Sequence, residues 1–170
     1  ADGIQRQVLD EILETHDSIE LSTAERDELN QVWHRMKTWP EPVDAIHKLR
    51  EVYTTTVLTV MSYSIAVDCS KFNGLNWDGI MSCEFLGHYK TDPEAYQRAV
   101  QLLGHRPDEV MMVAAHTPDL MGAKNAGMKT AYIHVEEDWR DVFPTPEPVH
   151  SLDEFDVSAF SWGELVEKLT

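Results

Sequence analysis

At 170 residues with 42% hydrophobic content, the chain is long enough to bury one sizeable core and is read as one domain carrying a small appendage. Its 30 Asp and Glu against 14 Lys and Arg leave a net charge of -16, which repels phosphate backbones and anionic lipid, so neither nucleic acid nor membrane is an expected partner. Cys69 and Cys83 form no CxxC or Cys/His spacing, no stretch reaches transmembrane length, and no leader pattern opens the sequence. The expectation is a cytoplasmic protein with reduced, buried thiols.

In chain order, Ile4, Val8, Leu9, Ile12 and Leu13 recur at helical spacing. Ser22-Thr-Ala-Glu25 is a capping box for a second helix with Leu29, Val32, Trp33 and Met36 on one face, ending before Trp39-Pro40. Pro42 starts a third helix, marked by Val43, Ile46 and Leu49 and running to about Glu51. Thr54 to Met61 is rich in β-branched residues and predicts the first strand, followed by a polar turn at Ser62-Tyr63-Ser64 and a helix over Ala66 to Phe72. Trp77 to Cys83 predicts a short second strand, Glu84 to Asp92 a loop containing Gly87, His88, Tyr89 and Lys90, and Pro93 to Leu103 a helix with Tyr96, Val100 and Leu103 inward.

Val110 to Ala115 is a short apolar run that predicts a strand buried on both faces. A helix over Gly122 to Gly127 and a second apolar run at Thr130 to Val135 follow. In an open parallel sheet ligands gather at the carboxyl ends of strands, which places His116, Thr117, Pro118 and Asp119 in the loop facing a ligand. Asp119 has a competing role as a helix N-cap. Phe143-Pro-Thr-Pro-Glu-Pro then reads as a proline-punctuated connection, Phe155 and Val157 as a short extended piece, and Trp162 to Leu169 as a closing helix.

A strand ending at Ser62, Lys90 in GHYKTDPEAY, and VAAHTPDLMGAKNAGMKTAYI together resemble the haloacid dehalogenase superfamily, in its L-2-haloacid dehalogenase-like branch, from about Val8 onward. The resemblance implies an α/β fold: a Rossmann-like parallel sheet, here lacking its usual first strand, with a partial helical cap at residues 1–52 and the core at 53–170. It further implies that Lys90 bridges the nucleophile and the acidic loop, which leaves Asp119 as its partner here. The family's DxYGT or DxFGT nucleophile pattern is not found, Ser62-Tyr63-Ser64 stands where Ser-Asn-Gly is usual, and Ala115-His116 stands for Ser-Asn. In the family the absent strand separates those ending at Ser62 and His116. Either these two close on each other, or a second chain contributes and makes a homodimer, or the protein includes a further N-terminal piece.

Displacement at carbon needs an attacking group, so the expectation is a repurposed, non-hydrolytic isomerase or cyclase of the pericyclase kind acting on a small apolar molecule. Lys90 would polarise a carbonyl or serve only as an ion pair, and His116 would transfer a proton or be a solvated loop residue. With Asp119 they form the candidate catalytic set. Ser62, Tyr63, Ser64 and Trp39 form the candidate substrate-binding set, Tyr63 and Ser64 adding an aromatic wall in place of a flexible amide site. Met61, Met111, Met112, Met121 and Met128 fill core or cavity. No cofactor and no metal are expected, because Asp119 alone does not make an acidic triad. The alternatives are a haloacid dehalogenase-like hydrolase represented by part of its chain, and a non-catalytic binding or oligomerising module.

Overall fold

A computed structural model describes residues 2–16, 18–39, 41–134 and 152–170. The expected proline-punctuated connection at Phe143 lies outside the described residues.

Helix α1 (Asp2–Glu14) packs against α2 (Thr23–Asn30), which opens on the expected capping box: Ser22 Oγ accepts from the Glu25 amide and Glu25 accepts from the Ser22 amide at 2.8 Å. The second helix does not run unbroken to Trp39; it tightens into a 3-10 turn over Gln31–Arg35 that packs on a later helix. Arg6 bonds Asp10 and Asp27, and Arg26 bonds Asp10 at 2.9 Å, so ion pairs tie α1 to α2. Helix α3 (Glu41–Arg50) buries Pro42, Ala45, Ile46 and Leu49.

Strand β1 (Thr56–Thr59) is shorter than the apolar run predicts. Ser62 then accepts the Ile65 amide at 3.3 Å and starts α4 (Tyr63–Asn73), so Tyr63 and Ser64 are the first helical residues and not a turn. A capping serine moves the helix start three residues upstream of the periodic apolar positions that announced it. Likewise Ser82 ends β2 (Gly79–Ser82) and caps α5 (Cys83–Leu86), a short helix where a loop was expected; Gly87, at φ 80°, supplies the left-handed residue that stops it. Helix α6 (Pro93–Leu103) has Asp92 as N-cap and buries Ala95, Tyr96, Ala99 and Val100. Strand β3 (Met111–Ala114), α7 (Thr117–Asn125), β4 (Lys129–Ile133), β5 (Val157–Ala159) and α8 (Trp162–Leu169) complete the described chain.

All described strand pairs are parallel. They form two groups: β1 with β2, running from Thr56 opposite Gly79 to Thr59 opposite Ser82, and the order β3-β4-β5. Among the described residues β1 and β3 do not pair, so the first of the three alternatives, that they close on each other, is not what the structure shows. It also explains why β3, expected to be buried on both faces, is only half-buried along its whole length: among the described residues one of its edges has no neighbouring strand whose side chains would cover it.

Side chains join what the backbone does not. Helix α6 packs on both α5 and α7, while Leu58 of β1 and Met112 of β3 both lie against its buried cluster of Tyr96, Val100, Ala123 and Met128. Helix α3 packs on α8, and Tyr53 donates from its hydroxyl to the Leu169 carbonyl, making a second bridge. Each strand group is stapled at its start by an aspartate that accepts a backbone amide: Asp78 from Thr55 at 2.8 Å, and Asp156 from Thr130 at 2.9 Å.

Candidate active site

Beyond the carboxyl ends of β1, β2 and β3 come, in turn, Ser62 at the start of α4, Lys90 in the loop between α5 and α6, and Asp119 at the start of α7. Asp119 is not the N-cap of α7. His116 occupies that position without a side-chain cap bond, and Asp119 sits on the first helical turn. From there its carboxylate meets two donors at once: Lys90 Nζ at 2.7 Å on Oδ2 and the Tyr96 hydroxyl at 2.7 Å on Oδ1. Capping asks only for an oxygen near the helix amides, but this carboxylate is needed elsewhere, and the positive end of the helix still favours its charge.

Lys90 and Asp119 are 14% and 15% exposed and Tyr96 is fully buried, so the triad has its back in the core and one side towards solvent. Burial above all, and then the hydrogen bond to the Asp119 carboxylate, push the Tyr96 hydroxyl well above its usual range, so it acts as a fixed donor. The seat of Tyr96 depends on Gly122: a Cβ built there would lie 2.7 Å from the tyrosine oxygen and 2.8 Å from Cε2. The sequence reading paired Lys90 with Asp119 but missed Tyr96 as a site residue. Its spacing placed it on the buried face of α6, and a buried phenol needs a polar partner, which was the available signal.

Ser62 is buried, caps α4, and lies 3.2 Å by its Oγ from Ser64 Oγ. Tyr63 and Ser64 are exposed; the Tyr63 amide donates to Glu84 at 3.0 Å, and its ring meets Phe85 edge-on at 6.0 Å. Both rings are about half exposed. His116 is exposed at the start of α7. Trp39 lies elsewhere along the fold: its neighbour Thr38 donates to Asn73 at the carboxyl end of α4, about 16 Å of helix from Ser62.

A divalent cation of the magnesium kind needs several oxygen ligands. Both Asp119 oxygens already accept donors, and among the described residues no group of three His, Cys, Asp or Glu side chains could hold a metal. No helix among the described residues is long and apolar enough to cross a membrane.

A parallel α/β core with a lysine and an aspartate paired beyond the carboxyl ends of its strands defines a Rossmann-like fold class. Within it, the haloacid dehalogenase-like hydrolase family matches residues 3–127, and the chain belongs to that family. The structure resembles the L-2-haloacid dehalogenase PA0810 with a TM-score of 0.90 at 29% identity, over 99% of this chain and 73% of that one. It resembles the defluorinating L-2-haloacid dehalogenase Rha0230 with a TM-score of 0.83 at 33% identity, over 99% and 69%. In sequence the chain is 40% identical to pyrophosphatase PpaX of Bacillus cereus (strain AH820) over 57 residues, 34% of this chain and only 26% of that protein's length.

Proposed function

We propose that the Lys90–Asp119–Tyr96 triad is the anion-handling side of a site for a small organic acid, and that it holds a 2-halo acid for displacement of halide by an attacking group that the triad does not itself supply. The observation that carries this reading is the Lys90–Asp119 contact of 2.7 Å at the carboxyl edge of the strands. An ammonium has three protons, and the aspartate uses one, so the lysine can hold a substrate carboxylate while Asp119 and Tyr96 fix its direction. The likeness to two L-2-haloacid dehalogenases along nearly the whole chain supports the substrate class.

A second reading is a non-hydrolytic isomerisation or cyclisation of a small apolar molecule. It is favoured by one feature: Asp119, with both oxygens accepting short hydrogen bonds, is a poor attacking group, so this triad orients and polarises better than it displaces. A halide-selective electrode and product NMR on 2-chloropropionate separate the readings. Halide release abolished by Lys90→Ala supports the first. Conversion of an apolar acid without halide release or water incorporation supports the second, and calorimetric binding with no turnover of any acid overturns both in favour of a binding module.

A further inference from the structure

We propose that His88 is a positioning residue for Lys90: its ring closes a clasp across the loop between α5 and α6, with Lys90 on the crest of that loop. The proposal rests on the reading of Lys90 as the ligand-facing cation, but its first readout needs no ligand. His88 Nδ1 lies 3.0 Å from Asp92 Oδ2, and Nε2 lies 3.0 Å from Glu94 Oε2. The Nδ1–Asp92 contact has hydrogen-bond geometry and the Nε2–Glu94 contact is a close approach of ring and carboxylate, so the ring is held from two directions.

The far side of the clasp is anchored. Asp92 uses its other oxygen to accept the Glu94 amide at 3.0 Å as N-cap of α6, and its own amide donates to the Tyr89 carbonyl at 2.9 Å. The Glu94 amide holds the Asp92 carboxyl below its ordinary range, with the His88 contact adding to the effect, so the acceptor is charged. The near side leaves α5 through the left-handed Gly87. Lys90 therefore stands between two fixed points and extends to Asp119 on a different element. The charged groups facing His88 are Asp92, Glu94 and Arg98, all along α6; from α5 only Leu86 lines the same cleft. Two carboxylates face the ring against one guanidinium.

Removing the ring removes both contacts and the loop loosens. The test compares the wild type with His88→Ala and with His88→Arg, which keeps a side chain able to donate in two directions, all at one pH. Hydrogen exchange of the Asp92 amide, corrected for intrinsic rate, reports the clasp, and the ζ-nitrogen NMR signal of Lys90 reports the contact with Asp119. His88→Ala is expected to speed Asp92 exchange by about two- to fivefold, the scale of two exposed ion pairs, and to weaken the Lys90 signal, whereas His88→Arg should stay as protected as the wild type. The proposal fails if His88→Ala matches the wild type, if His88→Arg loosens as His88→Ala does, or if the loop loosens while the Lys90 signal stays unchanged. A wild type that shows the clasp yet binds and turns over no acid defeats the functional reading instead.

Discussion

Tyr96 shows how one buried side chain can link packing to chemistry. Its ring fills the space over Gly122 while its hydroxyl steadies Asp119, so adding a single methyl group on α7 is felt at the carboxylate. Gly122→Ala should destabilise the protein by about 1–3 kcal/mol, read as a lower urea midpoint with unchanged slope, because a rigid ring cannot retreat from a Cβ in a packed core. Lys90→Ala should cost about 3 kcal/mol, since it leaves Asp119 charged and largely buried with only the phenol to satisfy it. Asp119→Ala on top of Lys90→Ala should cost less than the sum of the two single changes, and strict additivity in that double-mutant cycle would mean the pair is not coupled.

Among the elements, the two aspartate staples determine where the strand groups begin. Asp78 receives Arg50 Nη2 at 2.5 Å and Nε at 3.0 Å as well as the Thr55 amide, so α3 and the start of β1 are tied at one point. Arg50 first, then the amide, hold the Asp78 carboxyl down to about 2. Because the folded value lies below the ordinary one near 4, its stabilising effect is complete above the ordinary carboxylate range and is lost as the pH falls from about 4 towards 2. Acid unfolding of Asp78→Asn should therefore show a weaker dependence on pH within that window than the wild type.

The elements also show where the sequence was legible. Strands β1 to β4 and the closing helix were visible in apolar runs and periodicity, which depend on burial. Helix starts at Tyr63 and Cys83 were hidden because serine caps act through a single hydrogen bond and leave no periodic trace. The Lys90–Asp119 pair came from the order of motifs. The phenol that completes it did not, since contact between α6 and α7 is a matter of tertiary packing that no local pattern encodes.

At the scale of the whole molecule, stability is distributed unevenly. Helix α2 and the turn over Gln31–Arg35 bury no residue, and Ile4, Val8, Ile12, Leu29, Val32 and Trp33 remain largely exposed, whereas Ile65, Tyr96, Leu120, Ala131 and Leu165 are fully buried. Native-state hydrogen exchange should therefore find the α1–α2 pair opening at low free energy and β4, paired on both edges, opening last. Equal protection of α2 and β4 would contradict this ranking.

The division of the strands into two groups has a mechanical consequence. A hydrogen-bonded ladder resists shear along its length, but apolar side chains resting on a common helix slide at little cost. Ser62 and Asp119 follow strands of opposite groups, so the separation of these two residues is governed by how α6 seats on its neighbours. Enlarging or trimming Leu58, a half-buried residue packed against the cluster that holds Tyr96, should change that separation and with it the size of acid that fits between them.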